Sequence, residues 1–145
     1  NVAAIAGFGA AAEAALREVE FGAWARIAKL RNILEERISE RSPRTIFISA
    51  EAERLPNTSC FATPGWPSEL QVMQLDLAGF AVSAGSACSS GKVRASHVLG
   101  AMGFDDATAG AAIRVSLGPT TTEDEVHRFC DAWVRLYERR RARAA

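Results

Sequence analysis

The sequence lacks a net charge, a long apolar run and any pairing of its cysteines. Lys plus Arg and Asp plus Glu are each 17 in 145 residues. A balanced count leaves no overall field to draw nucleic acid or an anionic membrane. Uninterrupted apolar runs fall far short of the ~20 residues that a membrane-crossing helix needs, so the chain is read as a soluble protein. Cys60, Cys88 and Cys130 are odd in number and widely spaced, with no CxxC pair and no histidine at ligand spacing. This pattern argues against a disulfide scaffold and a structural zinc site, and it suits a reducing cytoplasm. Lysine is scarce, with Lys29 and Lys92 alone. Nothing like a start or a signal peptide precedes Val2-Ala3-Ala4-Ile5, so the chain reads as a piece of a longer polypeptide.

What is present, 48% hydrophobic residues, is enough for one compact domain with a core. Asn1 to Leu16, rich in Ala and Gly, reads as a helix that packs closely against a partner. Phe21, Trp24, Ile27, Leu30, Leu34 and Ile38 recur at spacings of three and four, which predicts one amphipathic helix ended by Ser42-Pro43. Thr45 to Ile48 is a short strand by propensity and Ser59 to Thr63 a second, with Cys60 as a small core residue. Between them, Glu51 to Arg54 is a polar connection.

Pro64-Gly65-Trp66-Pro67 is turn chemistry. Ser68 with Gln71 fits a capping box that opens a helix through Leu70, Met73 and Leu77, closed by Gly79. Phe80 to Ser83 is expected as a strand, Ser96 to Met102 as a short helix, Asp105 to Gly110 as a loop and Ala112 to Leu117 as a strand. Thr122 and Glu125 form a second capping box before a helix lined by Val126, Phe129, Trp133 and Leu136. Arg139, Arg140, Arg141 and Arg143 at its end complement the helix dipole. Alternating strands and helices predict a two-layer α/β domain, a small mixed sheet covered by helices.

One stretch, Gly85-Ser86-Ala87-Cys88-Ser89-Ser90-Gly91, gives a thiol neighbours too small and polar to bury it. Glycines at both ends loosen the backbone, and a partly exposed thiol among N–H groups and hydroxyls is a candidate nucleophile. By local composition alone, an ordinary loop thiol fits as well. A protease-like pair of Cys88 with His97 needs a geometry that closeness in sequence does not establish. His97, beside Val98 and Leu99, reads as a surface or packing residue, and His127, in the last helix, is assigned no role.

Four stretches in order carry a resemblance to one family. Val82 to Gly103 reads VSAGSACSSGKVRASHVLGAMG. Arg54-Leu55-Pro56-Asn57-Thr58 lies upstream, and Leu75-Asp76-Leu77-Ala78-Gly79 leads into it. Ala112-Ile113-Arg114-Val115-Ser116-Leu117-Gly118 follows, with Thr121-Thr122-Glu123-Asp124-Glu125 after it. Over nearly the whole chain these resemble the cysteine desulfurases, pyridoxal-phosphate enzymes of the class V aminotransferase superfamily. The resemblance implies the small C-terminal domain of a fold-type I pyridoxal-phosphate-dependent transferase. Residues 1–20 would be the tail of the large domain and its linker helix, and 21–145 the small domain with the reactive loop.

The resemblance also implies an activity: L-cysteine becomes L-alanine while its sulfur stays on Cys88 as a persulfide, then passes to an acceptor or iron–sulfur scaffold protein. Arg114 matches the arginine that grips the substrate carboxylate, a task suited to the planar, two-pronged guanidinium. Without the resemblance, an ordinary ion pair within the domain would explain it. Asn57 and Ser86 are candidates for support of the loop and site. Lys92 and Arg94 are candidates for lowering the thiol pKa or meeting an acceptor. The family is implied to work as a cytoplasmic homodimer, with no nucleic acid and no membrane involved.

Pyridoxal 5'-phosphate needs a lysine and an acid for its pyridine nitrogen. Neither Lys29 nor Lys92 stands in the Ser-x-His-Lys setting of the family, so no residue of this chain is assigned to hold the cofactor and the chain alone is expected to be inactive. Two alternatives stay open: a class V relative acting on selenocysteine, and a non-enzymatic sulfur carrier or interaction domain.

Overall fold

A computed structural model describes residues 1–85 and 96–144. Apolar residues three and four apart turn one face of a helix, α2 (Ala23–Arg41), inward, where Ile27, Leu30, Leu34 and Ile38 are all buried. It follows α1 (Val2–Glu20) across Gly22, whose φ of 69° lies in the left-handed region. Phe21, expected on the apolar face of α2, instead caps α1 and is exposed, because the break falls between it and the helix. No residue of α1 is buried.

Among the described residues, four strands form one sheet: β1 (Ile46–Phe47), β2 (Thr58–Ala62), β3 (Ser83–Ala84) and β4 (Ala112–Ser116). Their order is β1-β2-β4-β3, and every pairing is antiparallel. A mixed sheet was the expectation. The crossover from β2 through α3 (Ser68–Leu77) does set β2 and β3 in one direction, but β4 is inserted between them and runs against both.

Period-two alternation divides the side chains between two faces. Phe61, Ile113 and Ala84 are register partners on the inner face. There they meet α2 and the buried Val126, Phe129, Cys130, Trp133 and Tyr137 of α6 (Glu123–Ala144). Trp66, Trp133 and Tyr137 pack their rings at centroid distances of 5.3 to 6.1 Å. Full burial of side chains of this kind stabilises by roughly 1.5 to 3 kcal/mol each. On the outer face Ala62 lies opposite Ala112, and these two join Ile48, Leu99 and Ala109 in a smaller cluster. α4 (His97–Ala101) and α5 (Asp106–Gly110) cover that end.

Helix ends follow local chemistry with one exception. Gly79 (φ 86°) and Gly103 (φ 91°) close α3 and α4. At each, the residue after the glycine donates back to a carbonyl five positions earlier, Phe80 N–H to Leu75 O and Phe104 N–H to Leu99 O. Thr122 and Glu125 exchange hydrogen bonds as a capping box for α6. The capping box expected of Ser68 and Gln71 does not form: Pro67 takes the cap position, and Ser68 and Gln71 are both buried. Gln71 spends its amide on Trp66 O and Ala111 O, each at 2.9 Å, because those buried carbonyls need a donor. Asp105 to Gly110 was expected as a loop, yet Asp105 accepts from Thr108 N–H at 2.7 Å and starts a helical turn too short to show periodicity.

Candidate functional site

Arg114 owes its position to the same alternation. Its neighbours Ile113 and Val115 are buried on the inner face, so Arg114 stands on the outer one, exposed. A charge between two apolar residues would be costly in a strand buried on both faces unless it were paired. The strand instead carries it to the open side, and the burial penalty does not arise.

Directly across the strands from Arg114 lie Cys60 of β2 and Ser83 of β3. The three line a cavity of about 280 Å³ together with Gly85, Ser96 and His97. Its apolar wall includes Ala84, Val98, Leu99, Ala112 and Ile113. Ser96 caps α4, its hydroxyl accepting from Leu99 N–H at 3.4 Å, and so fixes where His97 begins the helix. Burial pushes the Cys60 thiol above the usual cysteine range, and the charge of Arg114 partly opposes that rise. Cys60 therefore stays a neutral thiol near pH 7.

The row is held from behind by the stretch that precedes β2. Arg54 grips Glu35 of α2 with two bonds of 2.6 Å, and Ser59 donates to the same carboxylate at 2.6 Å. Asn57 accepts from Leu117 N–H through its backbone carbonyl at 2.8 Å, which ties the start of β2 to the end of β4. Its side-chain oxygen accepts from the Thr58 hydroxyl at 3.3 Å.

Of the candidates drawn from sequence, Arg114 and His97 come together at this cavity, while Asn57 sits near one end of β2. Cys88, Ser86, Lys92 and Arg94 lie outside the described residues; Gly85 and Ser96, which flank that segment, are both in the cavity wall. Sequence reasoning placed Cys60 in the core and passed over Ser83. Only the strand register, which no local pattern reports, makes them neighbours of Arg114.

The described residues do not fit pyridoxal phosphate. Its aldehyde needs a lysine amine, and Lys29 is exposed on α2, away from the Arg114 cavity.

Arg114 thus stands exposed on the open face of a helix-backed antiparallel sheet, and residues 1–129 match the family model for aminotransferase class-V. The chain belongs to that family. Among curated proteins it is similar to a cysteine desulfurase of Cereibacter sphaeroides, 39% identical over 142 residues, which cover 98% of this chain and 36% of that one. It is also similar to the cysteine desulfurase NifS of Azotobacter vinelandii, 38% identical over 128 residues, with 88% and 32% covered. A solved structure, the NifS-like protein from Rickettsia africae ESF-5, superposes with a TM-score of 0.83 at 31% identity, covering 95% of this chain and 35% of that one. The chain thus spans about a third of the length of the curated relatives it matches.

Proposed function

We propose that this chain is the small-domain third of a pyridoxal-phosphate-dependent cysteine desulfurase. Pyridoxal phosphate would be held by the rest of the polypeptide and would supply the electron sink that the removal of sulfur from L-cysteine needs. Arg114 binds the substrate carboxylate through paired N–H donors and so fixes the amino acid in one orientation. Cys88 takes the sulfur: its thiol and L-cysteine give an enzyme persulfide and L-alanine, and the persulfide sulfur then goes to an acceptor or iron–sulfur scaffold protein. We place the working protein in the cytoplasm as a homodimer, with residues 1–20 joining this domain to the larger one.

The observation that carries this reading is the Arg114 cavity. Arg114 lines a cavity of about 280 Å³, and the cavity wall includes the residues that flank the segment bearing Cys88. Similarity to the two curated desulfurases supports the same chemistry.

The test is intact mass and cyanide-labile sulfur after incubation with L-cysteine and pyridoxal phosphate. The full-length protein is expected to gain one sulfur on Cys88, and the 145-residue chain none. Absence of labile sulfur from the full-length protein sinks the proposal, as does its persistence in a Cys88→Ser variant.

A further inference from the structure

The row Cys60–Arg114–Ser83 has a property that goes beyond the carboxylate role of Arg114, on which this inference rests. Residues directly opposite in antiparallel strands hold their Cβ atoms about 4.5 to 5.5 Å apart. Arg114 therefore meets its strand neighbours before it meets any ligand. Both neighbours are small and uncharged, and the cavity lies between their strands and α4. Among the described residues, no Asp or Glu pairs with Arg114. Other arginines of the described residues have the opposite arrangement, with an acid from a distant part of the chain in reach: Arg37 with Asp131, Arg41 with Glu138, Arg54 with Glu35.

From this we infer that Cys60 is a positioning residue: its short neutral side chain keeps the Arg114 guanidinium unpaired and leaves the volume that a carboxylate ligand then fills. A carboxylate at the Cys60 position would capture the guanidinium within the sheet. A branched side chain would take the space. Serine, close in size and also neutral, satisfies both requirements.

The experiment uses the full-length protein with three variants, Arg114→Ala, Cys60→Asp and Cys60→Ser. Loss of a charge-assisted carboxylate clamp of about 1.5 to 3 kcal/mol corresponds to a rise in KM for L-cysteine of about tenfold to a hundredfold. Cys60→Asp is expected to match Arg114→Ala within that range, with kcat within about threefold of the parent. Cys60→Ser is expected to bring KM back to within about threefold.

A second readout needs no variant of Cys60. In the parent protein, L-alanine should slow iodoacetamide labelling of Cys60, read by peptide mass, at least severalfold. It should not do so in Arg114→Ala. If Arg114→Ala leaves KM unchanged, the carboxylate reading falls and this inference with it. If Arg114→Ala raises KM while Cys60→Asp does not, or if L-alanine leaves Cys60 labelling unaffected, the role of Cys60 is overturned and that of Arg114 stands.

Discussion

Replacing Glu35 by alanine is the most direct check on how the site is held. Glu35 and Arg54 leave only 14% and 17% of their side chains to solvent, so water can do little to replace what is lost. The carboxylate accepts three bonds of 2.6 Å, two from Arg54 and one from Ser59, whose own exposure is 1%. Without it a guarded cation and a buried hydroxyl both lose their acceptor. Breaking one side of a buried pair costs about 3 to 5 kcal/mol; with the remaining exposure, the low end of about 3 kcal/mol is expected. For a domain of this size that is a fall in Tm of roughly 10 °C.

The pH profile adds a second criterion. Burial raises the Glu35 pKa, but the bonds from Arg54 and Ser59 and the charges of Arg54 and Arg31 outweigh it, so the carboxyl ends below its ordinary value of 4.5. A depressed folded pKa means stability that is present above 4.5 and lost as pH falls from there through the folded value. Urea denaturation of the chain and of Glu35→Ala at a series of pH values measures both. A cost under about 1 kcal/mol at pH 7, or an unchanged acid limb in the variant, would refute the reasoning.

Two further outcomes are expected. Cys130 is 1% exposed and burial pushes its thiol up to about 11, so it should resist alkylation in the folded chain until denaturant is added. Because that pKa is raised, the associated stability is complete below pH 9 and lost as pH climbs toward 11; labelling as fast as in unfolded protein would contradict this. Gly79→Ala places a Cβ at φ 86° and should cost about 1 to 2 kcal/mol in urea melts, whereas Gly100→Ala, inside α4 with open space around it, should not destabilise.

How far the residues themselves announced this structure depended on the range of the interaction involved. The inward faces of α2 and α6 were legible because helical periodicity is local, and so were Gly79 and the Thr122–Glu125 box, whose partners lie within five residues. Ser68 and Gln71 had the same local signature, yet Ala111 O, forty positions away, took the Gln71 amide. The outward turn of Arg114 followed from strand alternation once β4 was recognised. That Cys60 is its neighbour depended on β4 entering between β2 and β3, a long-range choice that no local spacing encodes.

The exposure of α1 bears on cooperativity. Val2, Ile5, Phe8, Leu16 and Val19 recur along one side of that helix and are 59% to 84% exposed. With no tertiary burial to couple it to the rest, α1 rests on its own alanine-rich propensity, and a helix of this length is marginal in water. It is expected to melt outside the main transition. The denaturant slope of the isolated chain therefore reports the surface uncovered from α2 onward, smaller than the chain length alone would suggest.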